Sequence, residues 1–406
     1  MWFSQMISDF IFGYPVMVSV VWIVGCIFKE WTLRHEPDNE ADHQPLVSIL
    51  VPAHNEHDTL AEAVKSLSNL TYSNYEIVLI DDKSSDDTLE IMHRLKQEYQ
   101  SQFNVQIVAI PVNQGKANAM NQGLKVANGE YLLGIDSDSV LDPDSLSYVV
   151  KTLNNNPKAG AVAGKPVVRN RTTILGRLQL LEYIGVIDII KRAESFLTGK
   201  ITTVSGVIVG FRKAAVESVN GWNTKVMTED IDITWRLYRK NWQVLYNPNI
   251  ICWILVPENV RNLIKQRQRW ARGGLEVLSG NRDMLIHGKL SEKFLLSETI
   301  VSNAWAVITI LSTITYILTF VLDHNLTLDG NILLFMLLVS FTQFLISFAF
   351  SKKSTFMNWS DFLLLPAYIM YYWIINLISC IYAMISFFLD PDHVGTWRSP
   401  DRGRKN

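Results

Sequence analysis

Tyr131-Leu132-Leu133-Gly134-Ile135-Asp136-Ser137-Asp138 decides the fold. Five residues that suit a buried strand run straight into two carboxylates spaced i and i+2, so both acids fall on one side of an extended chain. Working outward, β-branched runs at Val47 to Val51, Glu76 to Ile80 and Val105 to Ile110 have the same character. Between them, Thr59 to Leu67, Asp87 to Gln100 and Lys116 to Val126 carry helical periodicity. Strands alternating with crossover helices from about Val47 to Ile251 predict an α/β domain with a mostly parallel sheet and flanking helices.

In such a sheet, ligands bind beyond the carboxyl ends of the strands. Those positions are polar: Pro52-Ala53-His54-Asn55-Glu56, Asp81-Asp82-Lys83-Ser84-Ser85-Asp86 and Asp136-Ser137-Asp138. Gly-x-Gly-x-x-Gly and Walker loops are absent from the sequence, which disfavours dinucleotide enzymes and phosphate-loop ATPases.

The chain has 406 residues, 48% of them hydrophobic, and a mean hydropathy of +0.12. Uncharged apolar runs at Ile11 to Phe28, Thr299 to Leu322, Gly330 to Ser351 and Phe362 to Leu389 approach the ~20 residues that a helix needs to cross a bilayer. They predict an α-helical transmembrane domain. No Lys or Arg precedes the first run, so it reads as a retained anchor rather than a signal peptide.

Lys29, Arg34, Lys265 to Arg272, Lys352 and Lys353 flank the runs and place the middle of the chain in the cytosol. The fourth run conflicts with this alternation, because Arg398, Arg402, Arg404 and Lys405 follow it. A re-entrant or interfacial start to that run, broken at Pro366, is one resolution. The expected organisation is an anchor over 1–30, a catalytic domain over 31–256, interfacial helices over 257–296, membrane helices over 297–390 and a tail over 391–406.

Thirty-seven basic residues against 39 acidic ones give no nucleic-acid signal, and three distant cysteines give no disulfide or zinc pattern. Asp136 and Asp138 read either as turn capping or as ligands of a hard cation, Mg²⁺ or Mn²⁺. Asp81 and Asp82 suit a ribose or base, while Asp86 or Asp87 suits a helix cap. Lys116 opens a helix, where a cation needs an anion beside it. Thr228-Glu229-Asp230 precedes a helix over Ile231 to Tyr238, with Thr228 as its cap. Its carboxylates either complement the dipole or supply a general base, for which Asp230 is the choice. Gln266, Arg269 and Trp270 share one helical face, able to meet a phosphate and a sugar. Arg261, Lys265, Arg267 and Arg272 suit a membrane-surface helix, and a second such helix is expected between Leu175 and Leu197.

With these motifs in this order, including Gly115-Lys116-Ala117-Asn118-Ala119-Met120-Asn121, the chain resembles the processive family 2 membrane glycosyltransferases, the group of cellulose, chitin and hyaluronan synthases. Ile174-Leu175-Gly176, Glu182-Tyr183, Cys252 to Glu258 and Thr396 to Gly403 make it most similar to poly-β-1,6-N-acetylglucosamine synthases of the intercellular-adhesin type. Two departures are Lys83, where a glycine usually follows the paired aspartates, and His54, where an aromatic is common.

The resemblance implies a GT-A domain in the plasma membrane and UDP-N-acetylglucosamine as donor. It further implies a uridine site at Asp82, metal at Asp138 and a base at Asp230. Glu229 is assigned to catalysis with it, and Trp270 and Gly206 to the acceptor. A growing polysaccharide and a small accessory membrane subunit complete the implied partners. Other polymer synthases, a lipid-linked sugar transferase and a non-catalytic nucleotide-gated transporter are the alternatives.

Overall fold

The computed structural model describes residues 2–35, 43–323, 330–355 and 359–389. The tail over 391–406, with Arg398, Arg402, Arg404 and Lys405, lies outside them.

In chain order the elements begin with α1 (Trp2–Arg34), β1 (Val47–Ala53), α2 (Leu60–Leu67), β2 (Tyr75–Asp81), α3 (Thr88–Tyr99), β3 (Asn104–Ala109), α4 (Lys116–Val126) and β4 (Tyr131–Ile135). There follow β5 (Val140–Leu141), α5 (Ser145–Asn155), β6 (Ala159–Val168), α6 (Ile174–Glu182), a π-helical turn (Tyr183–Asp188) and α7 (Ile189–Thr198). The domain closes with β7 (Ile208–Arg212), α8 (Lys213–Ser218), α9 (Glu229–Arg239) and β8 (Gln243–Ile254). Beyond it run α10 (Val260–Gly280), α11 (Met284–His287), α12 (Leu290–Asp323), α13 (Gly330–Thr355), a 3₁₀ turn (Trp359–Leu364) and α14 (Leu365–Leu389).

One eight-stranded sheet has the order β3-β2-β1-β4-β7-β6-β8-β5. β3, β2, β1 and β4 are parallel, as are β6 and β8. β7 enters antiparallel between β4 and β6, and β5 closes the far edge antiparallel to β8. The sheet is therefore parallel in its first half and mixed in its second. β1 and β4 are buried along their whole length, matching their near-continuous apolar runs.

α6, the π turn and α7 form one helical rod where an interfacial helix was expected. At the π turn a Cβ on Gly185 would lie 2.1 Å from the Phe344 ring of α13. The Gly185 carbonyl there accepts a hydrogen bond from Gln343 Nε2 at 2.6 Å, the sort of released backbone group that a π turn provides. Further along, α1 crosses α7 so closely that a Cβ on Gly25 would lie 2.8 Å from Ala193.

Among the described residues, three segments are long and apolar enough to cross a membrane: Gln5–Arg34, Leu290–Thr319 and Ser360–Leu389. With its membrane helices, the chain is a membrane protein. The apolar part of α13 is the shorter Leu337–Ser351. Pro366 does not break its helix, because it stands in the first turn of α14, where no amide donor is needed. Both ends of this last segment touch helices of the catalytic side. Asp361 pairs with Arg177 of α6 at 2.7 Å, and Ser386 accepts from Arg272 of α10.

Two arginines expected on the membrane surface are instead buried. Arg267 pairs with buried Glu182 at 2.8 Å, and Arg272 pairs with Glu276 at 3.0 Å. Glu182 of α6 and Ser386 of α14 are remote in sequence, so periodicity within α10 does not reveal these contacts. Arg261 and Lys265 are exposed and fit the anchor reading.

Candidate active site

The carboxyl ends of β1, β2 and β4 set the site. Asp82 follows β2 and is fully buried, its carboxylate accepting the backbone N–H groups of Gln114 at 3.1 Å and Gly115 at 2.8 Å. Asp81 accepts the N–H of Ser84 at 3.1 Å. Burial raises the Asp82 pKa above the ordinary aspartate value, against the two backbone bonds that lower it. These acids hold the loops around the site together, and neither lines the cleft described below.

Lys83 adopts φ +58, the left-handed conformation in which a glycine is relaxed. His54 bonds the Asp82 carbonyl through Nδ1 at 2.9 Å and Asn113 through Nε2 at 3.1 Å. The two positions that depart from the resembled pattern thus form part of one loop framework.

Anchored by Asp82, Gly115 takes φ +87 and starts α4, which projects Lys116 into the site. The Lys116 ammonium bonds Asp136, donates to the Gly206 carbonyl at 2.7 Å and lies 3.7 Å from Glu229. Burial works against its charge, but Asp136, Glu229 and Asp230 outweigh that and lift its pKa above the usual lysine range. The anion that a helix-opening lysine needs is supplied by the protein itself.

Glu229 and Asp230 open α9. Burial raises the Glu229 pKa, Asp230 adds to the rise, and Lys116 and Arg269 oppose it. Asp230 is clamped by backbone donors, Gly206 N–H to Oδ2 at 3.1 Å and Ile231 N–H to Oδ1 at 2.9 Å. Gly206 therefore bridges Lys116 and Asp230. Such donors fix the carboxylate and leave lone pairs for another hydrogen bond.

Thr228 stands at the cap position without capping. Its hydroxyl makes no hydrogen bond and packs where a Cβ on Gly273 would lie 2.1 Å away, so the close crossing of α9 and α10 has displaced the expected cap.

α10 presents Gln266, Arg269 and Trp270 to the same space. The Arg267 guanidinium, fixed by Glu182, stacks 4.2 Å from the Trp270 ring centre. Arg269 is exposed and makes no ion pair among the described residues, and the buried Gln266 Oε1 has no hydrogen-bond partner. An unused cation and an unused acceptor suit a ligand.

A cleft of about 900 Å³ joins these parts, lined by Lys116, Asp136, Asp138, Gly206, Glu229, Asp230, Gln266, Arg269 and Trp270. Residues absent from the sequence expectations also line it: Lys191 of α7, and Tyr382, Ala383 and Ser386 of α14. An apolar helix gives no sign of which turn will border a polar cleft.

Asp136 and Asp138 fit a hard divalent cation in donor type and in position, with Asp138 buried and Asp136 shared with Lys116. Among the described residues another grouping of potential ligands, His57, Asp86 and Asp87, is exposed, and none of the three lines the cleft.

A cleft at strand ends that carry acids, bordered by a carboxylate held by backbone donors and by a Trp ring, suits a glycosyltransferase. The model of the family described as Glycosyl transferase family 2 matches residues 48–219. The chain is 36% identical over 412 residues, covering 98% of both sequences, to a Staphylococcus epidermidis protein named poly-β-1,6-N-acetyl-D-glucosamine synthase. It is 38% identical over 310 residues to the protein of that name from Staphylococcus aureus strain MSSA476, covering 75% of this chain and 74% of that one.

A mannosyltransferase from Pyrobaculum calidifontis, solved with GDP-Man and Mn²⁺, has the same overall fold. Its TM-score is 0.61 at 18% identity, with 94% of this chain and 99% of that one covered. The protein belongs to the family 2 glycosyltransferases, within the poly-β-1,6-N-acetyl-D-glucosamine synthase family.

Proposed function

We propose that the protein polymerises N-acetylglucosamine from UDP-N-acetylglucosamine into a β-1,6-linked exopolysaccharide and passes the chain across the plasma membrane. The observation that carries this reading is that Asp138, Asp230 and Trp270, far apart in sequence, border one cleft that also touches α14. The names of the relatives support the sugar and the linkage.

In this reading Trp270 supports the terminal sugar of the growing chain, and Gly206 lies beside it. Asp230 takes the proton of the attacking hydroxyl as its oxygen bonds to the anomeric carbon. The bond from that carbon to the diphosphate breaks, inverting the centre and releasing UDP. Lys116, Arg269 and Gln266 bind the donor, and Glu229 acts by holding Lys116. Asp82 shapes the uridine end through the Gln114-Gly115 loop. Mg²⁺ or Mn²⁺, held by Asp138 and Asp136, would neutralise charge on the leaving diphosphate.

The proposed topology is multi-pass, with the catalytic domain cytosolic. The contacts of Asp361 with Arg177 and of Ser386 with Arg272 support an arrangement in which both ends of 359–389 stay at the cytosolic face. That arrangement agrees with the basic residues that follow. A small membrane subunit beside the apolar helices completes the proposed assembly.

The test is synthesis by the purified protein in liposomes, with and without added Mg²⁺ or Mn²⁺. Incorporation from UDP-N-acetylglucosamine into a polymer cut by a β-1,6-hexosaminidase is expected. A polymer of other linkage, or release of UDP without polymer, refutes the reading.

A further inference from the structure

Lys191 is the third residue of α7, immediately beyond the π turn. It is only 7% exposed, yet among the described residues its ammonium makes no hydrogen bond and no ion pair. Its recorded contact is with the Tyr246 ring, whose centre is 5.9 Å away. The neighbouring buried cations are all paired: Lys165 and Arg192 with Asp188, and Lys200 with Glu292. An unpaired buried ammonium is unfavourable, so a cation kept in this state beside a cleft points to a partner that arrives from outside.

The side chain borders the catalytic cleft together with Tyr183, Ile187 and Asp230. The π turn helps to aim it there. An extra residue in a helical rod rotates everything after it by about 100°, and so sets which side chains of α7, Lys191 among them, border the cleft.

Two ligand oxygens are candidates, those of the donor diphosphate and those of the acceptor sugar. On the proposed function the diphosphate is met by Arg269, with Lys116 beside it, near Asp136 and Asp138. The carboxylates acting on Lys191 are instead Asp230, Glu194 and Asp188. Asp230 is where the acceptor hydroxyl is deprotonated, on the proposed function above, and this inference rests on that reading.

We infer that Lys191 binds the terminal sugar of the growing chain, donating a hydrogen bond to an oxygen beside the hydroxyl that Asp230 deprotonates. A hydroxyl or an amide carbonyl oxygen serves equally as acceptor. Burial lowers the lysine pKa to about 8 against the pull of the three acids, so the ammonium is present at neutral pH.

The experiment uses the full-length protein in detergent, with a β-1,6-linked N-acetylglucosamine trisaccharide as acceptor at saturating donor. Lys191→Met is expected to raise the acceptor KM at least tenfold and to keep the Kd for UDP within twofold. It is also expected to leave the melting temperature of the ligand-free protein unchanged or higher, because no hydrogen bond or ion pair is lost and only the distant Tyr246 contact changes. Lys191→Arg should recover part of the acceptor affinity.

An unchanged acceptor KM in Lys191→Met overturns the inference. A matching loss of UDP affinity assigns the lysine to the diphosphate, and a lowered melting temperature assigns it to the structure; either result also overturns it. A wild-type protein that fails to extend the trisaccharide refutes the functional reading and takes this inference with it, whereas an active wild type beside an unaffected variant refutes the lysine alone.

Discussion

The parallel half of the sheet and the layer beneath the membrane helices bury different things. Ile49, Leu50, Ile77, Leu79 and Ile80 are fully buried in β1 and β2, an apolar core stabilised by removal from water at about 25 cal/mol per Å². The layer formed by the π turn, α7, β6 and α1 instead buries Lys165, Asp188 and Arg192. Asp188 lies 2.8 Å from Lys165 and 2.9 Å from Arg192, and it accepts from Tyr246 at 2.5 Å. Arg192 continues to Glu30 of α1 at 2.7 Å, and Lys165 reaches Ser351 of α13 at 2.7 Å.

The core tolerates small changes of shape, whereas the charged layer depends on every partner being present. Its directional bonds tie the sheet to α1, a candidate membrane span, and to α13, so the position of the cleft relative to these helices rests on a few polar contacts.

Breaking that layer should have the largest effect on stability. Asp188→Asn leaves Lys165 and Arg192 without their shared anion, and a loss of about 3–5 kcal/mol is expected in denaturant unfolding. The two cations overcome burial to hold the Asp188 pKa well below the ordinary aspartate value. A depressed folded pKa gives stability that is present above the unfolded value and lost as pH falls. The gap between wild type and Asp188→Asn should therefore shrink from about pH 5 to pH 3, and a constant gap would contradict the network.

Gly185→Ala should come next, at about 1–3 kcal/mol, because the added methyl meets the Phe344 ring; a melting temperature equal to wild type would show that α13 is not seated there. In the apolar half, Ile77→Val should cost only about 0.5–1.5 kcal/mol. The smallest expected change is a gain. Lys83→Gly relieves a left-handed lysine and should stabilise by up to about 1 kcal/mol, while a clear loss would mean that the Lys83 side chain has a role of its own.

The same contrast explains what could be read from the sequence. Tyr131–Ile135 and Lys116–Val126 are set by local pattern, so their bounds are legible in the residues themselves. The acids at the strand ends and the face shared by Gln266, Arg269 and Trp270 follow from periods of two and 3.6. Arg267 and Arg272 were misplaced on the membrane surface because Glu182 and Ser386 are remote in sequence. Thr228 was misread as a cap because nothing local announces Gly273 against it. The π turn leaves no compositional mark, and the pairing with Glu30 that helps to separate Arg192 from Lys191 is remote in sequence.

Asp230→Asn, assayed together for UDP binding and for polymer synthesis in liposomes, tests the central claim most directly. The account predicts a UDP Kd within about twofold of wild type and synthesis lowered by about a thousandfold or more. Synthesis near the wild-type rate, with the variant properly folded, would contradict it.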